Sequence, residues 1–330
     1  MFTRRAMLAA TPTIAAATMT DQVFAQAQPR PPAQPAGSSG SRQAPGFYRF
    51  KVGDIEVTAI NDGVAPRSVE GFIRNADISD VKKALRDAFL PETGYQNSYT
   101  TLVLRTGGRT VLIDTGNGDS GPPTTGLWMA NFRAAGFDPA QVGTIIISHF
   151  HGDHINGMRL KDGTAVFPNA EVMVPAVEWA FWMDDAKMAQ APEGLKPGFN
   201  NVRRVFAPIA KDVKQYEGGK ELVPGVTAVS AFGHSPGHMA FTIASGNGRL
   251  MMLADAANYP ALFVRNPDWS AVFDQDADLA RATRRKLLDM AASERVQVSL
   301  YHAPFPATGH IARDGASYEF VPVQWTPMLL

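Results

Sequence analysis

Residues 149–154 read His149-Phe150-His151-Gly152-Asp153-His154, which places four metal-ligand side chains within six positions. The stretch follows the apolar run Thr144 to Ser148, which reads as a strand, so the cluster lies in a loop just past a strand end. Gly152 permits the tight backbone needed to turn several side chains into one pocket. Neutral imidazole and carboxylate suit zinc and its first-row neighbours, and the absence of cysteine removes thiolate as a ligand. The other histidines share this bias. All seven lie in three short stretches: 149–154, Gly233-His234-Ser235-Pro236-Gly237-His238, and Tyr301 to His310. Histidines placed for packing or surface polarity would be scattered, yet the first 148 positions hold none. His234, Asp255 and His302 can complete the cluster; Asp255 ends the apolar strand Leu250 to Ala254, and His302 follows Val298 to Tyr301.

Working outward, the chain reads as strand-rich. Asp54 to Ile60 alternates like a strand, and Tyr99 to Arg105 with Arg109 to Asp114 reads as a hairpin turning at Gly107-Gly108. Further strands are expected at Glu171 to Val174, Val226 to Ala231, Ala240 to Ala244 and Arg249 to Ala254. Helical spacing predicts a helix through Val81, Ala84, Leu85, Ala88 and Phe89, capped by Ser79. Another is expected over Leu127 to Ala135, ending at Gly136, and a long one around Asp278 to Ala292. No fixed repeat or second composition regime interrupts residues 46–330, which predicts one catalytic domain there.

Residues 28–45, mostly Pro, Gln, Gly, Ser and Ala, have little to bury and read as a flexible linker. The start, Thr3-Arg4-Arg5-Ala6-Met7-Leu8 followed by an alanine-rich run, resembles a twin-arginine export signal over residues 1–27, with small residues at Ala25 and Ala27 for cleavage. Pro12 interrupts that run, which is too short to span a bilayer, so a periplasmic or secreted protein without stable membrane insertion is expected. The chain carries 31 basic and 31 acidic residues, of which 29 and 30 follow position 27. Such a balance gives no global field for nucleic acid and points to a small-molecule partner. A homodimer is compatible with this reading.

The pattern His149-Phe150-His151-Gly152-Asp153-His154 resembles the H-x-H-x-D-H signature of the metallo-β-lactamase superfamily, and Gly233 to His238 resembles its G-H-T/S-P-G-H segment. The resemblance implies an α/β fold, a four-layered αββα sandwich with metals at one edge of its two sheets. Carried over residue by residue, it implies two divalent metal ions. His149, His151 and His234 would hold one, Asp153, His154 and His302 the other, and Asp255 would bridge them. Zinc is the first expectation, with manganese, cobalt or iron as alternatives. Members with true β-lactamase activity usually carry cysteine or a third histidine at the bridging place, so Asp255 argues against that activity. Pro45 to Arg49, Val57 to Gly63 and His302 to Ile311 are similar to the branch holding methyl parathion hydrolase and dihydrocoumarin lactonases. Many bacterial homoserine-lactone lactonases have a tyrosine three residues after the bridging aspartate. Here that place is Asn258, with Tyr259 next, so the tyrosine's role does not carry over.

This ligand set predicts hydrolysis by a metal-bridging hydroxide, because coordination lowers the pKa of water towards roughly 7. Lactones and carboxylic (aryl) esters are the expected substrates. Organophosphate triesters are the alternative on the same site, and a non-hydrolytic iron-binding redox protein is the alternative from another class. Asp153 and Asp255 are the expected catalytic carboxylates, Asp153 with the added task of moving a proton to the leaving oxygen. Asp114, in Leu112-Ile113-Asp114-Thr115-Gly116, is expected to orient a ligand histidine, with His238 and His310 as further supporting residues. Trp179, Phe181 and Trp182, together with Trp128 and Phe263, are the candidate apolar wall of a substrate pocket.

Overall fold

Strands such as Val111-Leu112-Ile113 and Leu250 to Ala254 are apolar at successive positions, so each must bury both faces. The computed structural model, which describes Ala44 and residues 46–329, satisfies this with two seven-stranded sheets packed face to face. The expected export signal and, apart from Ala44, the linker lie outside the described residues.

The first sheet runs in chain order through β1 (Phe47–Val52), β2 (Ile55–Ser68), β3 (Gly94–Thr106), β4 (Arg109–Ile113), β5 (Val142–Ile146), β6 (Glu171–Pro175) and β7 (Lys214–Tyr216). The second contains β8 (Glu221–Val223), β9 (Val226–Ser230), β10 (Met239–Ser245), β11 (Gly248–Ala254), β12 (Gln297–Leu300), β13 (Thr308–Asp314) and β14 (Ser317–Pro322), again with sequence neighbours adjacent. Seven α-helices connect them: α1 (Ile78–Asp87), α2 (Trp128–Ala134), α3 (Gly152–Ile155), α4 (Ala176–Trp182), α5 (Asp185–Gln190), α6 (Lys196–Phe206) and α7 (Ala277–Glu294).

Alternation along each strand divides the core into layers. Val111 and Ile113 meet Phe241, Leu250 and Met252 between the sheets, whereas Leu112 faces outward onto Trp128, Phe132 and Phe199 beneath α2 and α6. Met251 and Leu253 face the opposite way, onto Leu287 and Leu288 of α7. The result is the expected αββα order of layers.

Strand direction then positions the site. β4, β5 and β6 are parallel, and so are β11 and β12, while β9 is antiparallel to β10, which is antiparallel to β11. Chain ends of like polarity therefore gather at one edge, where irregular backbone can carry side chains into a common space.

Several boundaries differ from the sequence expectations. β2 and β3 extend well beyond Ile60 and Tyr99, to Ser68 and back to Gly94, pairing in one long ladder. Helix α1 begins at Ile78 with Asp77 before it, so Ser79 lies inside the first turn and is not the cap. Helix α7 starts at Ala277, where Asp276 accepts a hydrogen bond from Leu279 N and caps it. Helices α4 to α6 carry no separate expectation, because their aromatic-rich sequence reads equally well as core.

Candidate metal centre

The loop after β5 carries His149 and His151, and the one-turn helix α3 presents Asp153 and His154. His234 follows β9, Asp255 follows β11 and His302 follows β12. The structure brings these seven residues into two groups, His149, His151, His234 and Asp255, and Asp153, His154, Asp255 and His302. The ligand atoms within each group lie within 4.8 Å of one another. Asp255 belongs to both.

Four of the imidazoles are oriented in the same way. The Nδ1–H of His149 points at Ser148 Oγ (3.1 Å), that of His154 donates to Asp114 Oδ2 (2.8 Å), that of His234 to Asp274 Oδ1 (3.0 Å) and that of His302 to the Ser98 carbonyl (2.8 Å). Tying Nδ1 to an acceptor fixes the tautomer and turns an unprotonated Nε2 inward. Nε2 of both His149 and His234 lies 3.0 Å from His151 Nδ1. A hydrogen on His151 Nδ1 can fully satisfy at most one of the two, whereas a cation among the three nitrogens satisfies all of them.

The second group shows the same need. His154 Nε2 and Asp255 Oδ1 are 3.3 Å apart, buried, and without a hydrogen-bond partner. Unpartnered buried polar atoms are costly, and a cation between them satisfies both. Burial works against a charged His154, yet Asp153, Asp255 and Asp114 overcome it and hold the imidazole well above its ordinary pKa. His302 is likewise held up by Asp255 against the effect of burial. Conversely, burial and the neighbouring histidines drive His149 and His151 well below theirs. A region that keeps two imidazoles neutral and pulls protons onto two others is short of positive charge. The residues fit two divalent cations.

Supporting residues come from several elements. Asp114, at a left-handed φ of 63°, also accepts hydrogen bonds from Ser148 N and Ser148 Oγ, both at 2.7 Å. Such a backbone conformation is tolerated by aspartate at modest cost and here aims the carboxylate at His154. Thr115 N and Oγ1 both donate to the His154 carbonyl, so α3 rests directly on the loop after β4. Contact is close enough that a Cβ on Gly157 would lie 1.9 Å from the Thr115 carbonyl oxygen. Asp62 holds the far side of the loop, accepting from Asn117 N and Trp128 N.

Glu178 is fully buried and accepts hydrogen bonds from Phe150 N, Trp182 Nε1, Ser235 Oγ and Gly237 N at 2.6 to 3.0 Å. It joins the two histidine loops. The sequence carried one signal for it, a lone carboxylate inside the otherwise apolar helix Ala176 to Trp182. Asp274 and its partner Arg284, at 3.4 Å, had none, because both reach the site through contacts distant in sequence.

Other expected residues fall elsewhere. His238 donates from Nδ1 to the Ala231 carbonyl and accepts at Nε2 from Asp255 N, so it fixes the backbone of the shared carboxylate. His310 is corrected: it lies exposed on β13, between the inward-facing Gly309 and Ile311, and supports no ligand. The aromatic wall is also corrected. Trp179, Phe181 and Trp182 pack with Phe150, Phe199 and Phe206 in the layer outside the first sheet. Trp128 is buried beside Phe132, and Phe263 is buried beneath Arg284. None of the five lines the cavity at the ligand groups.

That cavity, about 410 Å³, is instead bounded by Arg67, Phe72, Tyr95, Tyr99, Asn258 and Phe273 around the ligands. A larger concavity of about 520 Å³ lies at the Gly107-Gly108 turn and contains none of the seven ligand residues, so it is remote from the chemistry.

The geometry agrees with the comparisons to known proteins. The sequence pattern of the metallo-beta-lactamase superfamily matches residues 94–298, more than half of the chain. An N-acyl homoserine lactonase from Bacillus sp. is 25% identical over 211 residues, covering 58% of this chain and 76% of that protein. The structure of AidC, a dizinc quorum-quenching lactonase, aligns with a TM-score of 0.80 at 28% identity, covering 85% of this chain and 98% of that one. A hydrolase of the beta lactamase superfamily, AbOPH, aligns at 0.81 and 28% identity, covering 86% and 100%. Fold, ligand groups and sequence pattern agree, and this chain belongs to the metallo-beta-lactamase superfamily as a metal-dependent hydrolase.

Proposed function

We propose that the protein opens lactones or cleaves carboxylic (aryl) esters, with zinc as its native metal. The observation that carries this reading is the pair of ligand groups sharing Asp255, with four imidazoles oriented through Nδ1. Similarity to the Bacillus lactonases and to AidC supports the lactone as the substrate type. His149, His151 and His234 would hold one cation, Asp153, His154 and His302 the other, and Asp255 both. Two such cations supply Lewis acidity and an activated water at neutral pH.

The chain's own groups do the rest. Asp153 is the most exposed of the ligand carboxylates, with a side chain 22% exposed, and its Oδ2 lies 3.5 Å from the Nε2 atoms of both His154 and His302. With Oδ2 turned to the ligand nitrogens, the other carboxylate oxygen, Oδ1, would carry a proton to the leaving oxygen. Tyr301 steadies that residue by donating from its hydroxyl to the Asp153 carbonyl at 2.6 Å.

Protein loaded with zinc, cobalt or manganese is expected to open dihydrocoumarin, acyl-lactones or aryl esters. Inactivity across that panel overturns the reading. A paraoxon-like triester in the same assay ranks phosphorus against carbon as the attacked centre. Metal analysis of the protein as isolated tests the iron alternative: one metal per chain with an oxygen-dependent reaction would favour it. Export by the twin-arginine route belongs to the same proposal, on the residues Arg4 and Arg5 and the small-residue site at Ala25 to Ala27. Cell fractionation of wild type and an Arg4→Lys, Arg5→Lys variant tests it.

A further inference from the structure

Among the described residues, Arg67, near the end of β2, is the only arginine or lysine lining the cavity that holds the ligand groups. Its guanidinium lies 5.6 Å from the ring centre of Phe72 and 5.0 Å from that of Phe273, within cation–π reach of both. Among the described residues, ion pairs occupy Arg49, Arg86, Arg105, Arg203, Arg249, Arg281, Arg284, Arg285 and Arg313, but not Arg67. An arginine without a carboxylate at the wall of a reaction cavity, with the Tyr99 hydroxyl beside it, keeps further donors for a ligand.

The neighbouring wall supplies further donors. Tyr95 is buried and its hydroxyl has no partner. Both Tyr95 and Tyr99 carry phenol hydroxyls, which are protonated at neutral pH and can donate. Asn97 and Asn258 each leave a side-chain oxygen unpartnered and line the same cavity. Asn97 Nδ2 lies 3.1 Å from His302 Nδ1, so the Asn258 amide is the one that brings a further donor. The carboxylates on this cavity, Asp153 and Asp255, belong to the ligand groups.

We propose that Arg67, flanked by Tyr95 and Tyr99, forms a carboxylate-recognition subsite in this cavity. The reading rests on the hydrolase function above and adds a substrate preference to it. Two sources can supply the carboxylate. One is a carboxylate borne by the substrate away from its scissile ester. The other is the group made by ring opening: water adds, the acyl C–O bond breaks, and a hydroxyl and a carboxylic acid form, the latter losing its proton near neutral pH. The bland alternative is that Arg67 only covers the rings of Phe72 and Phe273, and Arg67→Met keeps that cover while removing the charge.

The test compares zinc-loaded wild type with Arg67→Met and Arg67→Lys, after checking equal circular dichroism and equal metal content. The substrates are monophenyl glutarate and its neutral methyl ester, and the inhibitor is 3-(2-hydroxyphenyl)propanoate, the opened form of dihydrocoumarin. With a substrate carboxylate, the ratio of kcat/KM for the acid over its methyl ester falls about tenfold or more in Arg67→Met and is partly kept in Arg67→Lys. With the released carboxylate, that ratio stays the same while the inhibition constant of the hydroxy acid rises about tenfold in Arg67→Met. An unchanged ratio together with unchanged inhibition overturns the proposal. Should wild type cleave no ester or lactone, the hydrolase reading fails. Calorimetric titration with glutarate then decides the subsite, since binding lost in Arg67→Met supports it and equal binding overturns it.

Discussion

Asp274 accepts a 3.0 Å hydrogen bond from His234 Nδ1, and its other carboxylate oxygen receives Ala271 N and faces Arg284 of α7. A ligand of the first group is thereby anchored to a helix on the outer face of the second sheet. Removing such an anchor typically lowers metal affinity by about 10- to 100-fold. Asp274→Ala should show that loss in a zinc-competition titration. It also leaves the buried Arg284 without its carboxylate, at a cost on the order of 1–3 kcal/mol. Wild-type affinity in this variant would mean that His234 needs no orientation from outside.

Glu178 occupies the joint between the two histidine loops. Its carboxylate satisfies two backbone N–H groups, an indole N–H and a hydroxyl in a fully buried position. Glu178→Ala strands these donors and opens a cavity, so a loss of about 3 kcal/mol or more is expected in urea unfolding. Glu178→Gln, which keeps the volume, should lose less. A change below about 0.5 kcal/mol for the alanine variant would contradict the joint.

His238 gives a pH signature. Burial, aided by His234, pushes its imidazole down to about 3. Its unfolded pKa is roughly 6.5, so the folded-state value is depressed and the unfolded chain binds the proton first as pH falls. The stability that neutral His238 contributes is complete above about 6.5 and is lost progressively towards 3, by at most about 1.4 kcal/mol per pH unit. In chelator-treated protein the advantage of wild type over His238→Gln should therefore shrink between pH 7 and pH 4.5. A constant difference over that range would refute the assignment.

Gly157, in the turn Asn156–Met158 that follows α3, tests how closely this segment rests on the loop of Asp114. A methyl group there would sit 1.9 Å from the Thr115 carbonyl, which backbone cannot accommodate without moving. Gly157→Ala should cost about 1–3 kcal/mol or more in thermal unfolding and reduce metal retention, since His154 is on the displaced helix. Wild-type stability would show that the two segments are not in contact.

The fold and the seven gathered residues were legible in the sequence because the information is local. A strand that is apolar at every position must be buried on both faces, and His149 to His154 compresses four ligands into one turn. Asp114 was legible for the same reason, as the residue that directly follows β4. His310 was not: alternation on β13 turns its side chain outward, and the register of that strand is set by pairing with Gln297 and Val321. The aromatic residues of α4 announced burial without saying on which side of the sheet, and they pack away from the cavity. Asp274, Arg284 and Arg67 act through partners distant in the chain, and no spacing rule links them to the histidines.

The central claim is that Asp255 serves both ligand groups, and metal stoichiometry tests it most directly. Mass spectrometric metal analysis of dialysed protein should find about two divalent ions per wild-type chain and at most one in Asp255→Ala. Lactone opening should be lost with the missing ion. Two ions retained at full occupancy in Asp255→Ala would contradict the account.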